Sequence, residues 1–462
     1  MVGKVRPSTV SELRASDHVQ RSVKEELREN LLTRLRSGEP RFPGIVGFDD
    51  TVLPHLERAL LAGHDLVLLG ERGQGKTRLI RTIVGLLDEW TPVVEGCEIN
   101  DHPYGPVCVR CRRLSAELGD ALPVAWKHRD ERYGEKLATP DTGVGDLIGD
   151  IDPIKVAEGR TLGDPETVHF GLIPRTNRGI FSINELPDLA ERIQVALLNV
   201  LEERDIQVRG YALRLPLDVL LVASANPEDY TNRGRIITPL KDRFGAEIRT
   251  HYPLELDTEL ALIRQEASLT AEVPEHLIEV IGRFTRLVRD STAVDARSGV
   301  SARFAIAGTE TVAAGALRRA ALTGEEQPVA RVCDLAAVVP ALLGKVEFEV
   351  SEEGREQEVL EHLLRRAVAE TYRRRLGAAD LTGLLDKFDA GETVDSGELI
   401  PARDLLHRLG PVPGLAKLME RLDLTGESPG QAAAAVEFAL EGLFLTRRLS
   451  KDDTGGTATY RT

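Results

Sequence analysis

The residues Gly70-Glu71-Arg72-Gly73-Gln74-Gly75-Lys76-Thr77 fit the pattern G-x-x-x-x-G-K-[ST]. These residue types bind phosphates. Glycines let successive backbone N–H groups curl around the anion, and the start of the following helix adds its positive end. Lys76 can reach the β- and γ-phosphates, and the Thr77 hydroxyl can ligate Mg²⁺. A glycine-rich turn can match by chance, but the flanks argue otherwise. Leu66-Val67-Leu68-Leu69 leads in as a buried parallel strand. A helix leads out with Leu79, Ile80, Ile83, Val84 and Leu87 on one face.

Hydrolysis also needs a metal-positioning acid and a group that orients the attacking water. Gly179-Ile180-Phe181-Ser182-Ile183-Asn184-Glu185 is a strand ending in two such groups. Glu185 is placed to polarise water. Asn184 stands where an aspartate is usual; its carbonyl can hold a metal-bound water but adds no charge. The plainer reading is that the pair only caps a strand. Val219 to Ala225 is a further buried strand ending at Asn226-Pro227, where Asn226 could sense a γ-phosphate or hold the water. Arg243 follows in Thr238-Pro239-Leu240-Lys241-Asp242-Arg243-Phe244-Gly245, and Arg303 lies near a helix start at Ser298 to Arg303. Taken alone, both arginines are ordinary surface residues.

A second constellation is Cys97, His102, Cys108 and Cys111, in a polar, proline-bearing stretch. Cys108-x-x-Cys111 lets two thiolates reach one tetrahedral metal, and Cys97 with His102 would complete a Cys₃His zinc site. A redox pair and plain thiols are the other readings. Cys333, in an apolar helical setting, is expected in a core.

The elements that carry these groups alternate. Strand-like runs at 66–69, 179–183, 219–223 and 246–250 are separated by helical segments, which argues for an α/β core with a parallel sheet flanked by helices. We expect an N-terminal helical extension over 1–40 and the nucleotide-binding core over 41–255, with a cysteine-containing insertion at about 91–135. An α-helical lid follows over 256–345. A helical C-terminal region over 346–462 ends in a disordered tail from about Lys451. The 462 residues hold 74 acidic and 59 basic side chains, a net charge of −15, which argues against a nucleic-acid or anionic-membrane footprint. No apolar run reaches the ~18 residues of a membrane span. The start lacks the apolar stretch of a secretory signal, and four cysteines make no disulfide framework, so the expected compartment is the cytoplasm. His-Glu-x-x-His is absent, which excludes that class of zinc protease.

The order of motifs resembles the AAA+ ATPases and, within them, the magnesium chelatase subunit I family in the MoxR/chelatase clade. The resemblance rests on Ile45-Val46-Gly47, Gly70-Glu71-Arg72-Gly73, Thr142 to Leu162 and Asn177-Arg178-Gly179-Ile180. It continues through Leu197 to Glu203, Ala225-Asn226-Pro227-Glu228 and Leu240 to Gly245, and covers about residues 41 to 345. It implies a ring, typically a hexamer, with ATP and Mg²⁺ at subunit boundaries. Asn226 would be sensor 1, Arg243 an arginine finger acting in trans, Arg303 the sensor 2 arginine, and Ile206 to Leu215 an extra hairpin. It also implies a separate von Willebrand A subunit and a larger catalytic or client protein, for metal insertion into a tetrapyrrole. A MoxR-type chaperone ATPase and a slow nucleotide-gated scaffold, the latter kept open by Asn184, are the alternatives.

Overall fold

A computed structural model describes residues 6–157, 167–203, 215–226, 235–295, 299–426, 428–454 and 456–462. The hairpin expected at 206–215 lies outside these residues except for Leu215, as do 158–162 of the stretch expected to follow Thr142. The chain forms two compact units, Met1–His251 and Tyr252–Thr462.

The first unit is built on a parallel sheet. Its strands are β1 (Leu66–Leu69), β4 (Tyr133–Leu137), β7 (Gly179–Asn184), β8 (Val219–Ala225) and β9 (Ala246–Arg249), in the order β4-β7-β8-β1-β9. Between them lie two small antiparallel pairs: β2 (Trp90–Val94) with β3 (Val124–His128), and β5 (Gly149–Ile151) with β6 (Val168–Phe170). Alternate side chains of the central strands enter two separate cores. Val67, Phe181, Ile183, Leu221 and Ala223 face one, with Ile193 and Leu197 of the helix Glu191–Glu202. Leu66, Leu68, Ile180, Leu220 and Val222 face the other, with Leu79, Ile80 and Ile83 of the helix Lys76–Ile83. Both faces are covered, which is why these strands are continuous apolar runs rather than alternating ones. Each leucine or isoleucine fully buried there contributes about 1.5–3 kcal/mol.

The N-terminal extension is part of this unit. Its helix Val23–Ser37 starts with a capping box between Ser22 and Glu25 and buries Val23, Leu27 and Leu31 in the second core. Buried Glu26 meets Arg132 in a bidentate pair, both contacts at 2.7 Å. The far bound expected for the cysteine segment, about 135, is not a boundary in the fold. It falls inside β4, which pairs with β7 and belongs to the main sheet.

The second unit is mostly helical, with long helices Glu275–Arg289, Ala302–Thr323, Glu356–Leu376 and Pro429–Leu445. The expected break at 345/346 is not a break in packing, because one apolar cluster runs from Leu260 to Tyr460. The tail is not disordered either. Ser450–Thr454 and Thr457–Arg461 are antiparallel strands β11 and β12, and β12 also pairs with β10 (Val394–Gly397). The tail has few apolar residues. Its order comes from backbone ladders and from one anchor, Tyr460, which is 2% exposed and donates to Glu441 Oε2 at 2.5 Å. Among the described residues no helix is long and apolar enough to cross a membrane.

Candidate functional site

The sheet register assembles the site. Leu69 of β1 lies opposite Ala225 of β8, and Ile183 of β7 lies opposite Ala223. Gly70, Asn226 and Asn184-Glu185 therefore emerge together at the carboxyl edge of the sheet, where open parallel sheets bind ligands.

Gly73 and Gly75 each take φ of 74°, a left-handed conformation that a side chain would disfavour. A Cβ on Gly70 would lie 1.9 Å from Thr250 Oγ1, so only glycine fits there. Gln74 pins the loop by accepting from Glu71 N at 3.1 Å and from Thr250 Oγ1 at 2.9 Å. Lys76 is 7% exposed. Its ammonium donates to Gly70 O, to Glu71 O at 2.9 Å and to Asn226 Oδ1 at 2.7 Å. Asn226 Nδ2 then donates to Glu185 Oε2 at 3.0 Å. Glu185 itself sits at φ 56°, a turn that ends the strand. Lysine, amide and carboxylate are thus joined in one line.

Asn184 lies beside this line. Its Nδ2 donates to Glu135 Oε1 at 2.6 Å, and its Oδ1 accepts from Ser224 Oγ at 3.1 Å. The reversed amide would set oxygen against carboxylate, so these partners fix its orientation. Glu135 also accepts from Arg81 Nε and Nη2 at 2.9–3.2 Å and from the Tyr133 hydroxyl at 2.9 Å. Burial, and then the Glu135 hydrogen bond, push the Tyr133 phenol up to about 12, so it stays a donor. Arg81 lies one turn after Thr77 on the same helix. Sequence reasoning missed Glu135. It is 49 positions from Asn184 and joins it only through strand pairing.

A cleft of about 370 Å³ opens beside the loop, lined by Gly70, Gln74, Lys241, Arg249 and Thr250 among others. Its two cations, Lys241 and Arg249, both pair with Glu247, at 3.2 and 3.3 Å. Arg243 is not in the Lys76 network. It pairs with Glu202 and Asp242, each at 3.1 Å. Arg303 belongs to the second unit, exposed in the first turn of the helix Ala302–Thr323. The letters of a nucleophile elbow, G-x-S-x-G, occur at 426–430, but Ser428 there caps a helix and accepts from Gln431 N at 3.2 Å. It lacks the strand lead-in that elbow requires.

The three cysteines of the insertion converge, but the expected fourth ligand is wrong. A carboxylate oxygen of Asp101 and the sulfurs of Cys97, Cys108 and Cys111 lie within 4.8 Å of one another. His102 turns away. Its Nδ1 accepts from Tyr104 N at 3.0 Å, and its Nε2 is 3.3 Å from His18 Nε2, with the rings stacked. Burial, with Arg178 nearby, pulls this imidazole down to about 3, so it is neutral. Asn100, just before the two candidates, sits at φ 56°, and of the two Asp101 enters the cluster.

A parallel sheet in the order β4-β7-β8-β1-β9 with a phosphate loop after β1 and polar residues ending β7 and β8 defines an AAA+ P-loop nucleotide-binding module. The sequence profile of the sigma-54 interaction domain matches residues 159–243. Within that class, the chain is similar in sequence to magnesium-chelatase I subunits. The magnesium-chelatase 38 kDa subunit of Rhodobacter capsulatus is 31% identical over 242 residues, 52% of this chain and 63% of the relative. The magnesium-chelatase subunit ChlI of Guillardia theta is 31% identical over 207 residues, 44% of this chain and 55% of the relative. The chain thus spans less than two thirds of the length of these relatives. A solved structure described as a complex between subunits BchI and BchD of magnesium chelatase covers 69% of this chain and 98% of that one. Its identity of 22% and TM-score of 0.36 add nothing beyond the sequence relationship.

Proposed function

We propose that this chain is an ATP-hydrolysing AAA+ motor that assembles as a ring, typically hexameric, and remodels a partner in the manner of a magnesium or cobalt chelatase motor subunit. The observation that carries this reading is the Lys76–Asn226–Glu185 line at the sheet edge. Lys76 exchanges its loop carbonyls and Asn226 for phosphate oxygens. Released from Lys76, the Asn226 amide is free to face a γ-phosphate or the attacking water. Glu185, already oriented by Asn226, takes the proton of that water.

The residues fit a hard divalent ion, because the Thr77 hydroxyl, the Asn184 carbonyl and the Glu135 carboxylate are all oxygen donors. When bound, Mg²⁺ neutralises charge on the β- and γ-phosphates. Asn184 supplies no negative charge; the carboxylate hydrogen-bonded to it, Glu135, carries one that it shares with Arg81. That pairing favours a working motor over a slow nucleotide-gated scaffold. Arg243 acts in trans once released from Glu202, and Arg303 acts as a second phosphate sensor. A separate subunit with a von Willebrand A domain and a larger client protein complete the machine, in the reducing cytoplasm that four unpaired cysteines suit.

The test is steady-state ATP turnover with oligomer mass measured with and without ATP. Turnover together with ATP-dependent ring assembly is expected. Binding without turnover or assembly would sink the motor reading.

A further inference from the structure

The cysteine segment has no part in the nucleotide site, yet its chemistry is specific. The sulfurs of Cys97, Cys108 and Cys111 and one oxygen of Asp101 form a cluster spanning no more than 4.8 Å. Asp101 is 1% exposed, and its Oδ1 is a buried atom without a hydrogen-bond partner among the described residues. Its Oδ2 is held by Cys108 N at 2.9 Å. A carboxylate taken out of water is costly unless a proton or a cation compensates it, and three converging sulfurs favour the cation. The sulfurs are held in the same manner. Asp101 N donates to Cys97 Sγ, and Cys111 N donates to Cys108 Sγ, both at 3.3 Å. None of the three cysteines is in a disulfide.

We infer that Cys97, Asp101, Cys108 and Cys111 form a tetrahedral structural site for a zinc ion, with three thiolates and one carboxylate as ligands. Thiolates select zinc over the hard cations Mg²⁺ and Ca²⁺. Four protein ligands leave no open position for substrate, which makes the site structural rather than catalytic. His102 is not a ligand, because both its ring nitrogens face other partners.

The site braces one end of the catalytic strand. Asn100, next to the ligand Asp101, donates from Nδ2 to Arg175 O at 2.8 Å and Asn177 O at 3.1 Å. Asn177 Nδ2 donates back to Ile99 O at 3.0 Å. The ligand loop thereby grips the turn that enters β7, at the end opposite Asn184 and Glu185. Three of the four ligands are buried, so the ion would cross-link a loop that Ile99, Leu122 and Val124 also anchor in the apolar core.

The experiment uses the full chain, expressed with zinc and kept reduced. Elemental analysis should find about one zinc per chain. Cobalt exchanged into the site should give the visible bands of four-coordination with thiolate charge transfer. Asp101→Asn should weaken zinc binding at least about tenfold, while His102→Ala leaves it unchanged. Chelation of the wild-type chain should raise hydrogen exchange over 97–111 and 175–180. Reduced wild-type protein that neither carries zinc nor takes up cobalt would overturn the site. Loss of metal in His102→Ala but not in Asp101→Asn would overturn the ligand set. Unchanged exchange over 175–180 after chelation would overturn the bracing role. Because these readouts use wild type and conservative variants, they survive a Cys108→Ser chain that fails to fold.

Discussion

The two ends of strand β7 are built on opposite terms. At its amino end, buried polar groups are committed to permanent protein partners. Arg178 donates to Pro92 O and Thr91 Oγ1, each at 2.6 Å, and Arg132 joins Arg178 O to Glu26. Gly179 packs so closely that a Cβ there would lie 1.9 Å from Arg132 O. At the carboxyl end, Lys76, Asn226 and Glu185 hold one another in a line, and Asn184 is held by Glu135 and Ser224. Those partners can be exchanged for a ligand at little cost, since one charge-assisted hydrogen bond replaces another. The amino end sets the strand's position, and the carboxyl end holds the groups to which we assign the chemistry. Burial of charge alone therefore does not mark a site. What marks it is buried charge whose partners a ligand can replace.

Substitutions at the two ends should separate stability from turnover. Glu185→Gln should lower the hydrolysis rate by about 10²–10⁴-fold while nucleotide affinity stays unchanged, as read by single-turnover kinetics beside fluorescent-nucleotide binding. Glu26→Ala at the other end leaves Arg132 buried and unpaired. Denaturant unfolding should show a loss of about 3–5 kcal/mol, with nucleotide affinity unchanged in the protein that remains folded. If Glu26→Ala instead altered affinity as much as stability, the division between the ends would fail. Lys76→Ala should weaken nucleotide binding by about 100-fold, the loss of charged hydrogen bonds to phosphate, with little change in unfolding midpoint.

The smallest expected effect tests Glu135. On the proposed Mg²⁺ site, removing the Glu135 charge that it shares with Arg81 is worth on the order of 1–2 kcal/mol at an effective dielectric of ~20. Glu135→Gln should therefore raise the Mg²⁺ concentration needed for tight nucleotide binding about tenfold. Adding Asn184→Asp to that variant should restore it. An unchanged Mg²⁺ requirement would show that Glu135 only orients Arg81 and Tyr133.

Gly70 to Thr77 was legible because a phosphate cradle is made by consecutive backbone groups, so its chemistry is written in consecutive residues. The strands were legible because burial on both faces demands continuous apolar runs, as at Leu66–Leu69 and Val219–Ala225. Asn184, Glu185 and Asn226 were legible because each directly follows or ends such a run. The cysteines announced a cluster through residue type alone. The sequence could not say whether Asp101 or its neighbour His102 turned inward, because both can ligate zinc. That choice is made in the folded loop, where Asn100 takes a left-handed turn and is held by a segment some 75 residues away. Glu135 was invisible for the same reason, since it meets Asn184 only across a strand pair. The order of the tail also depends on a long-range contact, through Tyr460 and the strand at Val394–Gly397. Local backbone chemistry and apolar periodicity are properties of neighbouring residues and so belong to the sequence. Which polar groups meet across the sheet or around a left-handed turn is decided only when the chain closes on itself.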